Sequence, residues 1–305
     1  MPEFPLLRKT ELDLSSFRKI TEVMQARSVI GEPTLSFEFF PPKDDAGEER
    51  LWDAFEKLLE VKPDYVSVTY GAGGSSQDRS LSVVQRMAKS VPTIGHLTCV
   101  GATTQSTIDI IRQFEAANVA AILALRGDAP KDDPDALGKG QLKTALELIE
   151  VANQNSHLEI GVAAFPEVHP ESPDMAHDSM VLALKQAAGA KFAVTQLFFS
   201  VKAYTDLVSS AAEAGVTIPI VPGVMPIANA KQVIRMAAMS GAAMPAELLE
   251  ALEGLDDEAA SKLGMEFSKQ LSVDLIDAGA PGLHIFSLNQ HAAAIELARG
   301  AGLCR

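Results

Sequence analysis

From residue 34 onward, short apolar runs alternate with amphipathic stretches to the end of the chain. Residues 34–40 carry one carboxylate, Glu38, in an otherwise apolar run bounded by Gly31-Glu32-Pro33 and Pro41-Pro42, and they read as a short buried strand. The stretch after it places Leu51, Phe55, Leu58 and Leu59 on one helical face. Further strands are expected at residues 65–70, 93–98, 120–125, 160–165, 192–197, 218–221 and 283–286, each followed by helical patterning. Eight strand–helix units without a linker predict an α/β chain folded as a (β/α)8 TIM barrel. A helix expected over about residues 11–27 makes residues 1–30 an N-terminal helical extension and residues 31–305 the single barrel domain. Continuous apolar strands are what parallel strands covered on both faces require. A doubly wound open sheet shares that pattern, although no Gly-x-Gly-x-x-Gly follows the first strand, which counts against a dinucleotide-binding version.

Composition narrows the function classes. With 305 residues, 47% of them hydrophobic, the chain can bury a large core. A net charge of −14 without any basic cluster argues against nucleic acid as a partner. The longest apolar runs are strand-sized, so no membrane span is expected. Glu3, Glu11 and Asp13 are out of place in a signal peptide, and two cysteines, Cys99 and Cys304, form neither a disulfide framework nor a metal spacing. A cytoplasmic location follows, and no metal site is expected.

In a barrel, chemistry collects at the C-terminal ends of the strands. Glu38, Thr69, His96, Asp128, His169 and Gln196 all fall at or just past expected strand ends. Glu38, flanked by Phe37, Phe39 and Phe40, loses solvation, which disfavours its anion and suits it to proton donation. It reads equally as a structural carboxylate paired with a cation. His96 can be a satisfied core histidine and Asp128 a turn cap. Gln196, in an apolar strand, is a buried amide in need of partners. Gly71-Ala72-Gly73-Gly74 resembles a phosphate cradle only loosely, lacking the Lys-Ser/Thr that would complete it. Lys191 stands at the start of its strand, the wrong end for Schiff-base chemistry.

The motifs Ser36-Phe37-Glu38-Phe39-Phe40-Pro41-Pro42, Val66-Ser67-Val68-Thr69-Tyr70-Gly71, His96-Leu97-Thr98 and Leu125-Arg126-Gly127-Asp128 occur in that order. They are followed by Ala163-Ala164-Phe165-Pro166-Glu167-Val168-His169-Pro170, Thr195-Gln196-Leu197-Phe198-Phe199, Pro222-Gly223-Val224-Met225-Pro226 and Ser287-Leu288-Asn289. Together the chain resembles methylenetetrahydrofolate reductase of the bacterial single-domain type, a (β/α)8 barrel. The resemblance implies reduction of 5,10-methylenetetrahydrofolate to 5-methyltetrahydrofolate by NADH or NADPH, usually through FAD. It also implies a homo-oligomer. Glu38 matches the family's acid, Asp128 a carboxylate beside pterin and flavin, and Gln196 the amide that orients the bound ring. Thr69, Tyr70, His96, Arg126, Gly127, Asp128, Phe165, His169, Asp178 and Lys185 match cofactor-holding positions. Gln290 stands at a folate-binding position.

Several positions depart from the family pattern. Phe165 stands where many members have Tyr, Gln290 where an Arg is usual, and Met236 where an aromatic is usual. Residues 137–143, Leu-Gly-Lys-Gly-Gln-Leu-Lys, lack the aromatic and the acid that help hold the adenosine half of FAD. Val181 and Leu184 replace polar residues on the helix beneath the cofactor. These departures leave open a flavin-free variant with direct hydride transfer from NAD(P)H. A non-redox pterin-binding barrel of the methyltransferase type, and an inactive complex-forming subunit, are the rival functions.

Overall fold

The computed structural model describes residues 19–70, 75–128 and 135–305. The start of the expected first helix, the Gly71–Gly74 loop and residues 129–134 lie outside the described residues. The strands are β1 (Thr34–Phe39), β2 (Tyr65–Val68), β3 (Thr93–Thr98), β4 (Ala121–Leu125), β5 (Glu159–Ala164), β6 (Phe192–Thr195), β7 (Ile220–Val221), β8 (Gly223–Val224) and β9 (Gly282–Phe286). The helices up to β5 are α1 (Ile20–Val29), α2 (Asp45–Leu59), α3 (Ser75–Met87), α4 (Thr104–Ala116), α5 (Ala136–Lys139) and α6 (Ala145–Asn155). Those after it are α7 (Met175–Ala187), α8 (Val201–Glu213), α9 (Ala230–Ser240), α10 (Ala246–Leu252), α11 (Asp257–Asp277) and α12 (His291–Gly300).

The strands form one sheet in the order β7-β6-β5-β4-β3-β2-β1-β9-β8, with every pair parallel. β7 and β8 flank Pro222 and are two halves of one strand: the first pairs with β6, the second with β9, and the sheet closes into the expected barrel. Proline has no N–H for the ladder, so the strand breaks there. The Pro222 carbonyl still accepts the His284 N–H at 3.0 Å, and the Gly223 N–H turns to the Thr195 hydroxyl at 2.8 Å.

Period-2 alternation sorts the side chains into two layers. Leu35, Phe37 and Phe39 point outward into the cluster they share with Leu51, Phe55 and Leu58 of α2. On the inner side, Tyr65, Ile94, Leu123, Phe192, Val194 and Val221 pack with Ile20 and Met24 of α1, which closes the N-terminal end of the barrel. Gly161 makes room for this packing, since a Cβ there would lie 2.3 Å from the Phe192 ring. Asp64 ties the same end together: it accepts the Leu35 N–H at 2.9 Å and pairs with Arg27 and Arg305, each at 2.8 Å.

The other end is left open for chemistry. Loops leading into α2, α4, α6, α7, α8, α9 and α11 finish on capping residues, Asp44, Thr103, Thr144, Asp174, Ser200, Asn229 and Asp256. Each cap accepts a first-turn N–H and so fixes where its helix begins. Among the described residues, no helix is long and apolar enough to cross a membrane.

Candidate active site

Glu38 lies one residue before the end of β1, on the inner face with Thr34 and Ser36. It is 7% exposed. The phenylalanines expected to desolvate it do not: Phe37 and Phe39 point to the opposite face, as alternation requires. What surrounds the carboxyl is polar. Its Oε2 lies 3.6 Å from His96 Nε2 of β3 and 3.5 Å from His284 Nε2 of β9.

Strand register explains the meeting. β1 lies between β2 and β9, with Ser36 level with His284 and Glu38 level with Ser67. The His284 ring sits just beneath the carboxyl, its Nδ1 2.8 Å from Ser36 Oγ and its Nε2 3.1 Å from Ser67 Oγ. Ser36 spends its single proton on the Leu283 carbonyl, at 3.1 Å. His284 Nδ1 is then the donor to Ser36, which leaves Nε2 as an acceptor facing Ser67 and Glu38.

His96 is buried, and its Nε2 has no hydrogen-bond partner among the described residues. Burial holds the imidazole pKa down at about 4, against an upward pull from Glu38 and a further downward push from His284. At neutral pH the ring is uncharged, and its bare nitrogen faces the carboxyl. Among the described residues, Glu38 therefore has no Arg or Lys partner of the kind a structural carboxylate requires; its neighbours are two imidazoles.

A second group of expected residues lies around β4, β5 and α7. Gly127 turns the chain with φ +83°, and a Cβ there would lie 2.8 Å from Val100 Cγ1. Arg126, just before it, makes a two-pronged ion pair with Glu171, at 2.5 and 2.8 Å. Phe165 and His169 meet edge to face at 4.6 Å. The Asp178 carboxylate accepts the His169 N–H at 2.7 Å and the Ser172 hydroxyl at 2.5 Å. Lys185 is largely buried, 3.4 Å from the Ala163 carbonyl, and burial lowers its pKa against the pull of Asp178.

The remaining expected residues sit at the rim. Thr69 follows β2 and donates its N–H to Phe39 O at 2.9 Å. Tyr70 is half-buried, its hydroxyl pKa pushed up to about 12 by burial and then by Asp78. Asp128 is exposed, as is Gln290 ahead of α12. Gln196 corrects an expectation: β6 ends at Thr195, so the amide is exposed at the mouth rather than buried in a strand. Its Oε1 accepts the Leu197 N–H at 2.8 Å, which leaves the NH2 group to offer. A shallow depression beside it is lined by Phe165, Pro166, Leu197 and Gly241. Among the described residues, no group of three or more His, Cys, Asp or Glu could hold a metal ion.

Comparison with known proteins decides the family, because the model of methylenetetrahydrofolate reductase matches residues 23–302. The chain belongs to the methylenetetrahydrofolate reductase family. It is 34% identical over 266 residues to 5,10-methylenetetrahydrofolate reductase of Escherichia coli K12, covering 86% of this chain and 88% of that one. It is 32% identical over 301 residues to methylenetetrahydrofolate reductase (NADH) 1 of Arabidopsis thaliana, covering 93% of this chain and 51% of the plant protein. The barrel is similar to that of a Clostridium thermocellum protein that binds two copies of 5-methyl-5,6,7,8-tetrahydrofolic acid, with TM-score 0.62 and 18% identity over 92% of this chain and 97% of that one.

Within the family, two features of this chain's site stand out. Ser36, Ser67, His284 and Glu171 were not among the expected site residues. Ser36 was legible, being two residues from Glu38 on one strand; His284 required the register of β1 against β9. On α7, Val181 shares a face with Asp178 and Lys185 at helical spacing, whereas Leu184 is exposed on another face with Met180.

Proposed function

We propose that the protein reduces 5,10-methylenetetrahydrofolate to 5-methyltetrahydrofolate at the expense of NADH or NADPH, with Glu38 as the general acid. The observation that carries this reading is the buried Glu38 carboxyl set between two imidazole nitrogens at 3.5 and 3.6 Å, with no Arg or Lys paired to it among the described residues. The substrate bridge carries carbon between N5 and N10. Glu38 gives its proton to N10, the carbon–N10 bond breaks, and an N5 iminium remains that accepts hydride at the methylene carbon. Asp128, exposed at the mouth, stabilises that cation, and the Gln196 NH2 group holds the ring.

His284 acts through Glu38 as a positioning residue. Its Nε2 lies 3.5 Å from Oε2, and the orientation of the ring is set by Ser36 and Ser67. Replacing His284 with Gln should lower kcat about 10- to 100-fold with little change in KM, the range of an orienting partner. It should also move the acidic limb of the pH–rate profile. A His284→Gln enzyme with an unshifted pH profile would reduce the histidine to a packing role.

FAD, when bound, supplies a two-electron relay between nicotinamide and folate. The ring-and-phosphate side of such a site fits these residues: Gly127 turns the chain at the end of β4 with φ +83°, and Lys185 is a partly buried cation whose hydrogen bond to Ala163 O is a long one. A second reading, direct transfer from NAD(P)H, is favoured by residues 138–143. Lys143 is turned onto the Gly138 and Gly140 carbonyls, at 2.7 and 2.5 Å. A Cβ on Gly140 would meet the Gly101 and Ala102 backbone at 3.0–3.1 Å. This stretch is packed onto its own neighbours, with no aromatic ring to stack an adenine. Glu38 and Asp128 serve either route.

An ultraviolet–visible spectrum of the purified protein, repeated after excess FAD and removal of what stays free, separates the two. Retained bands near ~375 and ~450 nm, bleached by NADH, would put the flavin between donor and folate. A colourless protein that oxidises NADH only when methylenetetrahydrofolate is present would establish direct transfer. A colourless protein inactive with both added would overturn the reductase reading.

A further inference from the structure

We propose that Asn289 is a positioning residue for the acid: its side chain stands in for one rung of the barrel ladder and fixes the strand end that aims the Glu38 carboxyl. The proposal rests on Glu38 as the proton donor. The register of β1 against β9 ends at Glu38 and Phe286. Beyond them both chains leave the sheet. β1 runs into Pro41-Pro42, which offer no N–H. β9 turns away through Leu288 and Asn289, at φ +53° and +55°. Two consecutive side-chain-bearing residues in the left-handed region are uncommon, and such strain persists only where the surroundings hold it.

The Asn289 amide takes up the pairing where the ladder stops. Its Oδ1 accepts the Phe40 N–H and its Nδ2 donates to the Phe40 carbonyl, both at 2.9 Å. A side-chain amide carries donor and acceptor side by side, as a peptide group does, so it pairs both polar groups of one residue. Ser287 holds the other side of the same turn. Its hydroxyl donates to the Glu38 carbonyl at 2.6 Å, and its N–H reaches the same oxygen at 3.3 Å. Its Oγ also accepts the Asn289 N–H at 3.2 Å. Leu288, between the two, packs on the cluster that contains Leu197, Met225 and Phe286. The clipped groups, Glu38 O and Phe40 N–H, bracket the backbone just after the acid. The clip also continues the strand that carries His284, so one segment sets both the acid and the imidazole 3.5 Å from it. A misplacement of about 1 Å at a reacting group is enough to cost about a hundredfold in rate.

Asparagine also tolerates the left-handed region, and a turn role alone would be served as well by glycine. Asn289→Gly separates the two roles, because it keeps the turn and removes both hydrogen bonds to Phe40. Reduction of methylenetetrahydrofolate by NADH is measured at steady state for the parent, Asn289→Gly, Ser287→Ala, Glu38→Gln and Asn289→Gly in the Glu38→Gln background. Melting temperatures show which of them are folded. Asn289→Gly should lower kcat about 10- to 100-fold and change KM for the folate by less than about twofold. In the Glu38→Gln background the same change should have no further effect on kcat, because no acid is left to aim. Ser287→Ala should lower kcat in the same sense, and it carries the test if Asn289→Gly does not fold. A kcat within about twofold of the parent in the folded clip variants, with Glu38→Gln slow, overturns the proposal and leaves the acid in place. A full further loss in the Glu38→Gln background overturns it equally, as does loss of folding in both clip variants, which makes the turn a requirement of the fold. Normal turnover by Glu38→Gln removes the acid reading and this proposal with it.

Discussion

Replacing Glu38 with Gln should lower turnover at saturating substrate by about 10²- to 10⁴-fold, the usual worth of a general acid. KM for the folate should hardly move, because an amide of the same shape fills the same space. The introduced amide stands in the same place, 3.5 Å from His284 Nε2 in the parent, so the hydrogen bonds of His284 to Ser36 and Ser67 beneath it are left intact. What it cannot do is release a proton to N10, and without that proton the methylene bridge stays closed to hydride. Steady-state oxidation of NADH, paired with a direct measurement of folate binding, reads the two effects separately. Lost turnover with retained binding is the expected pair. A Glu38→Gln enzyme that turns over normally would sink the acid assignment.

Much of this site was legible in the sequence, and what was missed has definite physical causes. The strands announce themselves because each is a short, largely apolar run stopped by Gly, Pro or a polar turn. Only the seventh is broken differently than expected, since Pro222 splits it in a way that pairing, and not composition, reveals. Glu38 was visible as a lone carboxylate, but its setting was misjudged. Neighbours in sequence along a strand are not neighbours in space, so Phe37 and Phe39 belong to the outer layer while Ser36 belongs to the acid's own. His284 is 248 residues from Ser36, and no local pattern ties them together. Their contact exists because the barrel closes its last strand on its first. The sixth strand was expected to run to residue 197 and ends at Thr195, and those two residues move the Gln196 amide from a buried strand to an exposed position.

The barrel divides labour along its axis. Below the Glu38 level, Tyr65, Ile94, Leu123 and Phe192 fill the interior with the help of α1, and Asp64 ties Arg27 of α1 and Arg305 to that floor. Above it, Arg126 and His169 stand on loops shaped by the Gly127 turn and by the hydrogen bonds of Asp178 and Glu171. The polar layer of Ser36, Ser67, His96 and His284 lies at the boundary, where burial is nearly complete. A histidine in such a place has a thermodynamic consequence.

Stability should fall between about pH 6.5 and pH 4 in a way that belongs to His96. Its folded pKa of about 4 lies below the ordinary value of 6.5. The unfolded chain therefore binds a proton that the folded protein refuses, and folding weakens as pH drops through this window; above pH 6.5 the penalty is absent. Some two and a half pH units at 1.36 kcal/mol each set the scale at about 3 kcal/mol. The charged groups facing the ring are Glu38 from β1, which favours its protonation, and His284 from β9, which opposes it. His96→Gln replaces the ring with an amide that does not titrate. It should be less stable than the parent at pH 7.5, from lost packing, but the gap should narrow by about 3 kcal/mol by pH 4. Urea denaturation of both proteins across that range measures the gap directly. Repeating the comparison in a Glu38→Gln background separates titration of the ring from that of its neighbour: the narrowing should persist and become slightly larger, since the carboxylate that eases His96 protonation is gone. Parallel curves in both backgrounds would mean that His96 is not the group that refuses the proton.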